Sequence, residues 1–120
     1  MKGKGDMTEN QTELNNNRKK QRELFFELMP DLSKKLGVLL DEVYKDGVID
    51  SKTKRLIAMG IALGAGCRNC VLSQVENALA LGATKEEILE TISVVISMRG
   101  TTGVAESLRV IQFLDESGKL

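Results

Sequence analysis

Histidine does not occur in this 120-residue sequence, and that absence removes several chemistries at once. A histidine general base, a histidine-ligated metal and a Ser-His-Asp triad are all excluded from within the chain. An excess of one charge is also missing. The 17 Lys and Arg are balanced by 17 Asp and Glu, so there is no overall basic field of the kind phosphate-backbone binding needs, and nucleic acid is not an expected partner. No apolar run approaches the roughly 18 residues that span a bilayer, and the first twenty residues are polar. Neither a membrane helix nor a secretory signal is therefore expected, and the chain reads as cytoplasmic. Strand signals are lacking as well, because nowhere do apolar residues alternate at period two between turn residues. No bound cofactor is expected.

What the sequence does contain is helical periodicity. Residues 1–17, MKGKGDMTENQTELNNN, are nearly free of apolar side chains and read as a flexible N-terminal arm whose ordering entropy burial cannot repay. Residues 18–120 read as one domain. Leu24, Phe25 and Leu28 share one face of a short segment that stops near Met29, since Pro30 disfavours helical geometry in the residue before it. Asp31 is placed to cap a second helix, in which Leu32, Leu36, Leu39, Leu40 and Val43 form a core-facing stripe that ends at Gly47. Behind Asp50 a third helix mixes Leu56, Ile57, Ile61 and Leu63 with Ala58, Gly60, Ala62 and Gly64; the small residues let neighbouring backbones approach, which places this helix in the middle of the domain. Val71, Leu72, Val75, Ala78 and Leu79 give a fourth helix, with Gly82 as its stop. Thr84 and Glu87 form a capping box for a fifth with Ile88, Ile92, Val95 and Ile96 inside. Residues 99–103 make the last turn, and Val104, Leu108, Ile111 and Leu114 define a final helix. The fold class is all-α, an orthogonal bundle of about six helices with no sheet.

Cys67, Arg68, Asn69 and Cys70 form a C-x-x-C at the start of the fourth helix, and three readings compete for it. A structural disulfide closing so short a loop stabilises by only about 2 kcal/mol. A zinc site wants four ligands, so two thiols suffice only if two subunits each contribute a pair. A redox dithiol fits best, because unpaired N–H groups at the helix N-terminus stabilise a thiolate and Arg68 adds positive charge beside it.

The surrounding stretch, DSKTKRLIAMGIALGAGCRNCVLSQVENALA followed by LGATKEEILETISV, resembles the carboxymuconolactone decarboxylase family in its AhpD-like, alkylhydroperoxidase-type branch. That branch shows a D-x-K-T opening, a run of Ala and Gly, C-x-x-C, and then G-A-(S/T)-x-E-E-I. The resemblance implies a small all-α protein that assembles as a homotrimer or hexamer. It implies that the dithiol reduces peroxides or partner disulfides and is restored by an external thiol reductant, with Cys70 as the attacking and Cys67 as the resolving sulfur. The family's redox members carry a glutamate twelve residues before the first cysteine and a histidine four residues after the second, as a proton relay. Here those positions are Arg55 and Gln74, neither of which is a base at neutral pH. Two roles are open to Arg55: a positive charge that stabilises the thiolate directly, or a solvated first-turn residue beside an interior Gln74. Glu76 falls nearly opposite Cys70 around the helix and is not read as a replacement base. Decarboxylation itself is not expected, for the chain has no histidine and no evident cationic pocket for a dicarboxylate. The alternative to an oxidoreductase is an oligomeric binding module that has lost its relay.

Overall fold

The computed structural model describes residues 9–120, and among them six helices follow one another with no strand. They are α1 (Gln11–Leu28), α2 (Pro30–Tyr44), α3 (Ser51–Ala65), α4 (Arg68–Ala80), α5 (Lys85–Arg99) and α6 (Thr101–Glu116). The all-α bundle expected from the periodicity is the fold observed. None of the described helices is long and apolar enough to cross a membrane.

The core forms where α3, α4, α5 and α6 converge. Met59 and Leu63 of α3 are fully buried against Leu72, Val75 and Ala78 of α4, Ile88 of α5, and Val110 and Leu114 of α6. The helix starts are built from side chains in the sequence. Asp50 accepts the Thr53 N–H at 2.7 Å to open α3. Thr84 and Glu87 close the capping box of α5 through bonds of 3.1 and 2.9 Å. At the end of α4, Gly82 adopts φ 90° and lets the Ala83 N–H return to the Ala78 carbonyl at 2.9 Å.

Four expectations are corrected. The first is the arm. Residues 1–8 lie outside the described residues, but α1 already begins at Gln11, and Gln11 and Asn15 are buried. Its first turn is held by polar contacts that apolar composition does not reveal: Asn10 caps the Glu13 N–H at 2.8 Å, and the Glu116 carboxylate at the far end of the chain accepts the N–H groups of Gln11 and Thr12 at 3.0 and 2.6 Å.

Second, Asp31 does not cap α2. Pro30 occupies the first helical position and Met29 is the N-cap, so Asp31 sits in the first turn, where its charge still favours the helix dipole. The helix ends at Tyr44 rather than Gly47, because the Lys54 ammonium donates to the free carbonyls of Val43 and Lys45 at 2.9 and 2.7 Å. Third, the α2 stripe packs on no core within the protomer. The helix has no buried residue, and Leu39 is 56% exposed. Ile61 of α3 likewise points outward, 67% exposed.

The fourth concerns the face of α6. Val104 and Leu108 are exposed, and the buried face is Gly103, Ser107, Val110 and Leu114, with Phe113 beside them. A Cβ on Gly103 would lie 3.3 Å from the Ile96 Cα and 3.3 Å from the Val95 carbonyl oxygen. The closest approach of α5 and α6 therefore turns this glycine inward and sets the rotation of the whole helix.

Candidate active site

The two cysteines occupy the corner between α3 and α4. Gly66 takes the left-handed conformation at φ 72°, which only glycine adopts without strain. This allows its own N–H to reach the Leu63 carbonyl at 3.3 Å and the Cys67 N–H to reach that of Ala62 at 3.1 Å. Cys67 thereby closes α3 and serves as the N-cap of α4, its Sγ accepting the Cys70 N–H at 3.4 Å. Cys67 and Cys70 are joined as a disulfide with their Cα atoms 5.3 Å apart. Cys67 is half-buried and Cys70 exposed, so an incoming molecule meets Cys70 first.

Arginines share the cavities that border the exposed cysteine. From α1, Arg18 joins Asn69, Ser73, Gln74 and Cys70 in the lining of one small cavity. Its side chain is only 14% exposed, its Nε donates to Asn15 Oδ1 at 2.9 Å, and Glu76 lies 3.7 Å away. Burial pulls the Arg18 pKa down from its ordinary value, while the Glu76 carboxylate holds it up; guanidinium stays protonated regardless. Arg68, inside the C-x-x-C, donates to Glu9 at 2.8 Å, and the same carboxylate accepts from Arg109 at 2.8 Å. The hydrogen bond from Arg109, with the charges of Arg68 and Arg109, holds the Glu9 carboxyl below its usual range although partial burial opposes this. Glu76 is committed to Arg18 and to Lys19, the latter at 2.7 Å.

Arg55 and Gln74 meet. Arg55 Nη1 donates to Gln74 Oε1 at 3.1 Å, and the guanidinium stacks 3.5 Å above the Tyr44 ring. Gln74 stands between two spaces. On one side it borders the cavity at Cys70; on the other its partner Arg55 lines a separate cleft with Leu40, Asp41 and Tyr44. Of the four residues singled out in the sequence, the structure thus joins the two cysteines, sets Gln74 beside them and holds Arg55 through Gln74.

Arg18 and Arg22 are the residues sequence reasoning missed. They share a groove with Cys70 and come from a helix whose start lies in the segment read as an arm, and no spacing rule links positions 18 and 70. With Arg68 they line a groove beside Cys70, so the cationic pocket that the sequence did not reveal is present. Among the described residues, no group of three His, Cys, Asp or Glu side chains converges as a metal site.

The model of the "Carboxymuconolactone decarboxylase family" matches residues 30–113. Among curated proteins, the chain is 38% identical over 74 residues to an uncharacterized protein in the cox locus of Paracoccus denitrificans, a match covering 62% of this chain and 67% of that one. It is 32% identical over 89 residues to an uncharacterized protein of Methanocaldococcus jannaschii, covering 73% and 86%. Among solved structures, the crystal structure of an apo carboxymuconolactone decarboxylase family protein from Legionella pneumophila superposes with a TM-score of 0.83 at 28% identity, covering 91% of this chain and 97% of that chain. A Thermotoga maritima protein gives a TM-score of 0.70 at 26% identity, over 80% and 87%.

Proposed function

The chain belongs to the carboxymuconolactone decarboxylase family, and from that premise we propose that it is a thiol–disulfide oxidoreductase that reduces peroxides or partner disulfides through Cys67 and Cys70. The observation that carries this reading is the disulfide at the N-terminus of α4, with Cys70 open to solvent and Cys67 half-buried behind it. In the reduced protein the Cys70 thiolate attacks the peroxide oxygen, the O–O bond breaks, and the alcohol or water leaves with a proton from solvent. The Cys67 sulfur then displaces hydroxide from the Cys70 sulfenic acid. Water leaves, the protein disulfide forms, and two electrons have passed from the dithiol to the peroxide. An external dithiol returns them.

Arg55 and Gln74, a guanidinium and a carboxamide, offer no hydrogen-bonding base to replace the family's Glu and His. Positive charge takes the place of the relay: Arg18 and Arg68 line the spaces that border Cys70, Arg55 stands behind Gln74, and at the start of α4 the Cys70 N–H donates to the Cys67 sulfur. The deciding assay is peroxide turnover with a dithiol reductant in the native chain, Cys67→Ser and Cys70→Ser. The expected result is loss of turnover in both variants. Equal background rates in all three proteins would leave a binding module in place of an enzyme.

The proposal includes self-association. Residues of α3 and α5, among them Ile57, Ile61, Val94 and Met98, line an apolar groove of about 480 Å³, with Met98 83% exposed. The apolar stripe of α2, uncovered in the protomer, is a helix of matching character on the same chain, so a second copy supplies both halves of such a contact. Sedimentation of Ile61→Asp is expected to show a smaller species than the parent. An unchanged sedimentation coefficient refutes this contact.

A further inference from the structure

We propose that the groove beside Cys70 receives a small disulfide bearing carboxylates, so that the protein's preferred oxidant is an anionic low-molecular-weight disulfide. This rests on the oxidoreductase reading and specifies its substrate class. The groove measures about 830 Å³ between α1 and the start of α4, and Cys70 forms part of its wall. That is within the size of sites that enclose whole small molecules and much more than hydrogen peroxide fills.

Its charge is one-sided. Arg18, Arg22 and Arg68 line it, and among the described residues no carboxylate does. Arg18 and Arg68 are each partly offset from outside the groove, by Glu76 at 3.7 Å and Glu9 at 2.8 Å. Among the described residues Arg22 has no carboxylate partner; its guanidinium rests 4.3 Å above the Phe26 ring on its own helix. Planar guanidinium groups with unused donors are suited to carboxylates. The side-chain amides of Asn17, Gln21 and Asn69 on the same walls offer hydrogen bonds to peptide groups, so the recognised molecule combines carboxylate, amide and a reducible sulfur pair.

The chemistry balances without a further reactant. The Cys70 thiolate attacks one sulfur of the substrate, the substrate S–S bond breaks, a mixed disulfide forms and the first thiolate departs. The Cys67 thiol gives its proton to solvent and attacks the Cys70 sulfur; the mixed disulfide breaks, the Cys67–Cys70 bond forms and the second thiolate departs. The substrate gains two electrons and the protein loses two. A positively charged groove favours both the approach of the anionic disulfide and the anionic leaving group.

The test is the single-turnover oxidation of pre-reduced full-length protein by three disulfides of similar reactivity. They are glutathione disulfide, which is anionic, hydroxyethyl disulfide, which is neutral, and cystamine, which is cationic. Each rate is divided by the rate for free dithiothreitol under the same conditions. The normalised rates are expected to fall in that order, with about tenfold or more between the anionic and cationic probes at low salt and a smaller gap at high salt. Arg22→Gln is expected to lower the anionic-to-neutral ratio about fivefold, the effect of one charge near a protein surface. Lys20→Gln, on the same helix outside the groove, leaves the ratio as it was. Equal normalised rates for glutathione disulfide and cystamine, or an unchanged ratio in Arg22→Gln, overturn the anionic-substrate inference alone. If neither the disulfides nor hydrogen peroxide oxidise the thiols, the oxidoreductase reading falls with it.

Discussion

Replacing Glu116 by alanine tests whether α1 is held in place by a single carboxylate from the opposite end of the chain. Its Oε1 accepts the Thr12 N–H and hydroxyl, both at 2.6 Å, and its Oε2 accepts the Gln11 N–H at 3.0 Å and the Gln112 amide at 2.8 Å. Partial burial pushes the Glu116 pKa up, but the Thr12, Gln11 and Gln112 bonds together outweigh it and hold the carboxyl below its ordinary value. Removing a side chain that satisfies helix N-terminal N–H groups costs about 0.5–2 kcal/mol, and because this carboxylate faces solvent, screening keeps the expected cost near 1 kcal/mol. That is roughly a fivefold change in an opening equilibrium. Amide exchange at 12–18 should therefore accelerate about fivefold in Glu116→Ala, with the core amides of α4 and α5 unchanged; Glu116→Gln, which keeps one acceptor oxygen, should fall between. Exchange at 12–18 within a factor of 1.5 of the parent would refute this account of why the segment is helical.

Three further outcomes follow from the packing and charges. Gly103→Ala should destabilise by about 1–3 kcal/mol in urea titration, because its Cβ meets the backbone of Val95 and Ile96, which cannot give way. Gly37→Ala in α2, with nothing within 4 Å of the added methyl, should gain up to about 1 kcal/mol from helix propensity; a loss there would show that something covers α2. Stability should also fall below about pH 4.5, the ordinary Glu87 value. The hydrogen bond from Lys52 and the Thr84 N–H hold the folded Glu87 pKa below 4.5, so its contribution is complete above that pH and disappears as pH falls through the folded value. Lys52 is raised above 10.5 by the same bond, so its share is present below that pH and is lost as pH rises through the raised value. In Glu87→Gln the acid limb of the stability profile should flatten; an unaltered limb would place the acid sensitivity elsewhere.

The parts of the fold that sequence made legible are those that depend on neighbours within one turn. The Thr84–Glu87 box, the Gly82 stop and the start of α3 behind Asp50 are local geometry written in residue types at fixed spacing. The family motif belongs partly to this class: its Asp, Asp50, stands at the start of α3, and its Lys, Lys52, reaches Glu87 of the capping box to tie α3 to α5. The cysteine pair was legible for the same reason. What failed was anything requiring knowledge of the opposing surface. Apolar stripes on α2 and α6 say that a face wants burial, not what buries it; Val104 and Leu108 lost the inward position to Gly103 because backbone proximity outranks hydropathy where two helices touch. The helical start of α1 depends on a residue 105 positions away, and the arginines at the dithiol come from that helix. For Arg55 and Gln74, the sequence supplied the positions and the structure their mutual hydrogen bond and the Tyr44 ring.

The central claim is that the sulfur of Cys70, once reduced, is stabilised as a thiolate by surrounding positive charge without any imidazole. It is measured most directly by the rate at which iodoacetamide alkylates each cysteine of the reduced protein at pH 7, read by peptide mass against free cysteine. The account expects Cys70 to react about five- to tenfold faster than free cysteine, with Cys67 slower than Cys70. Two thiols that both react at the free-cysteine rate would contradict it.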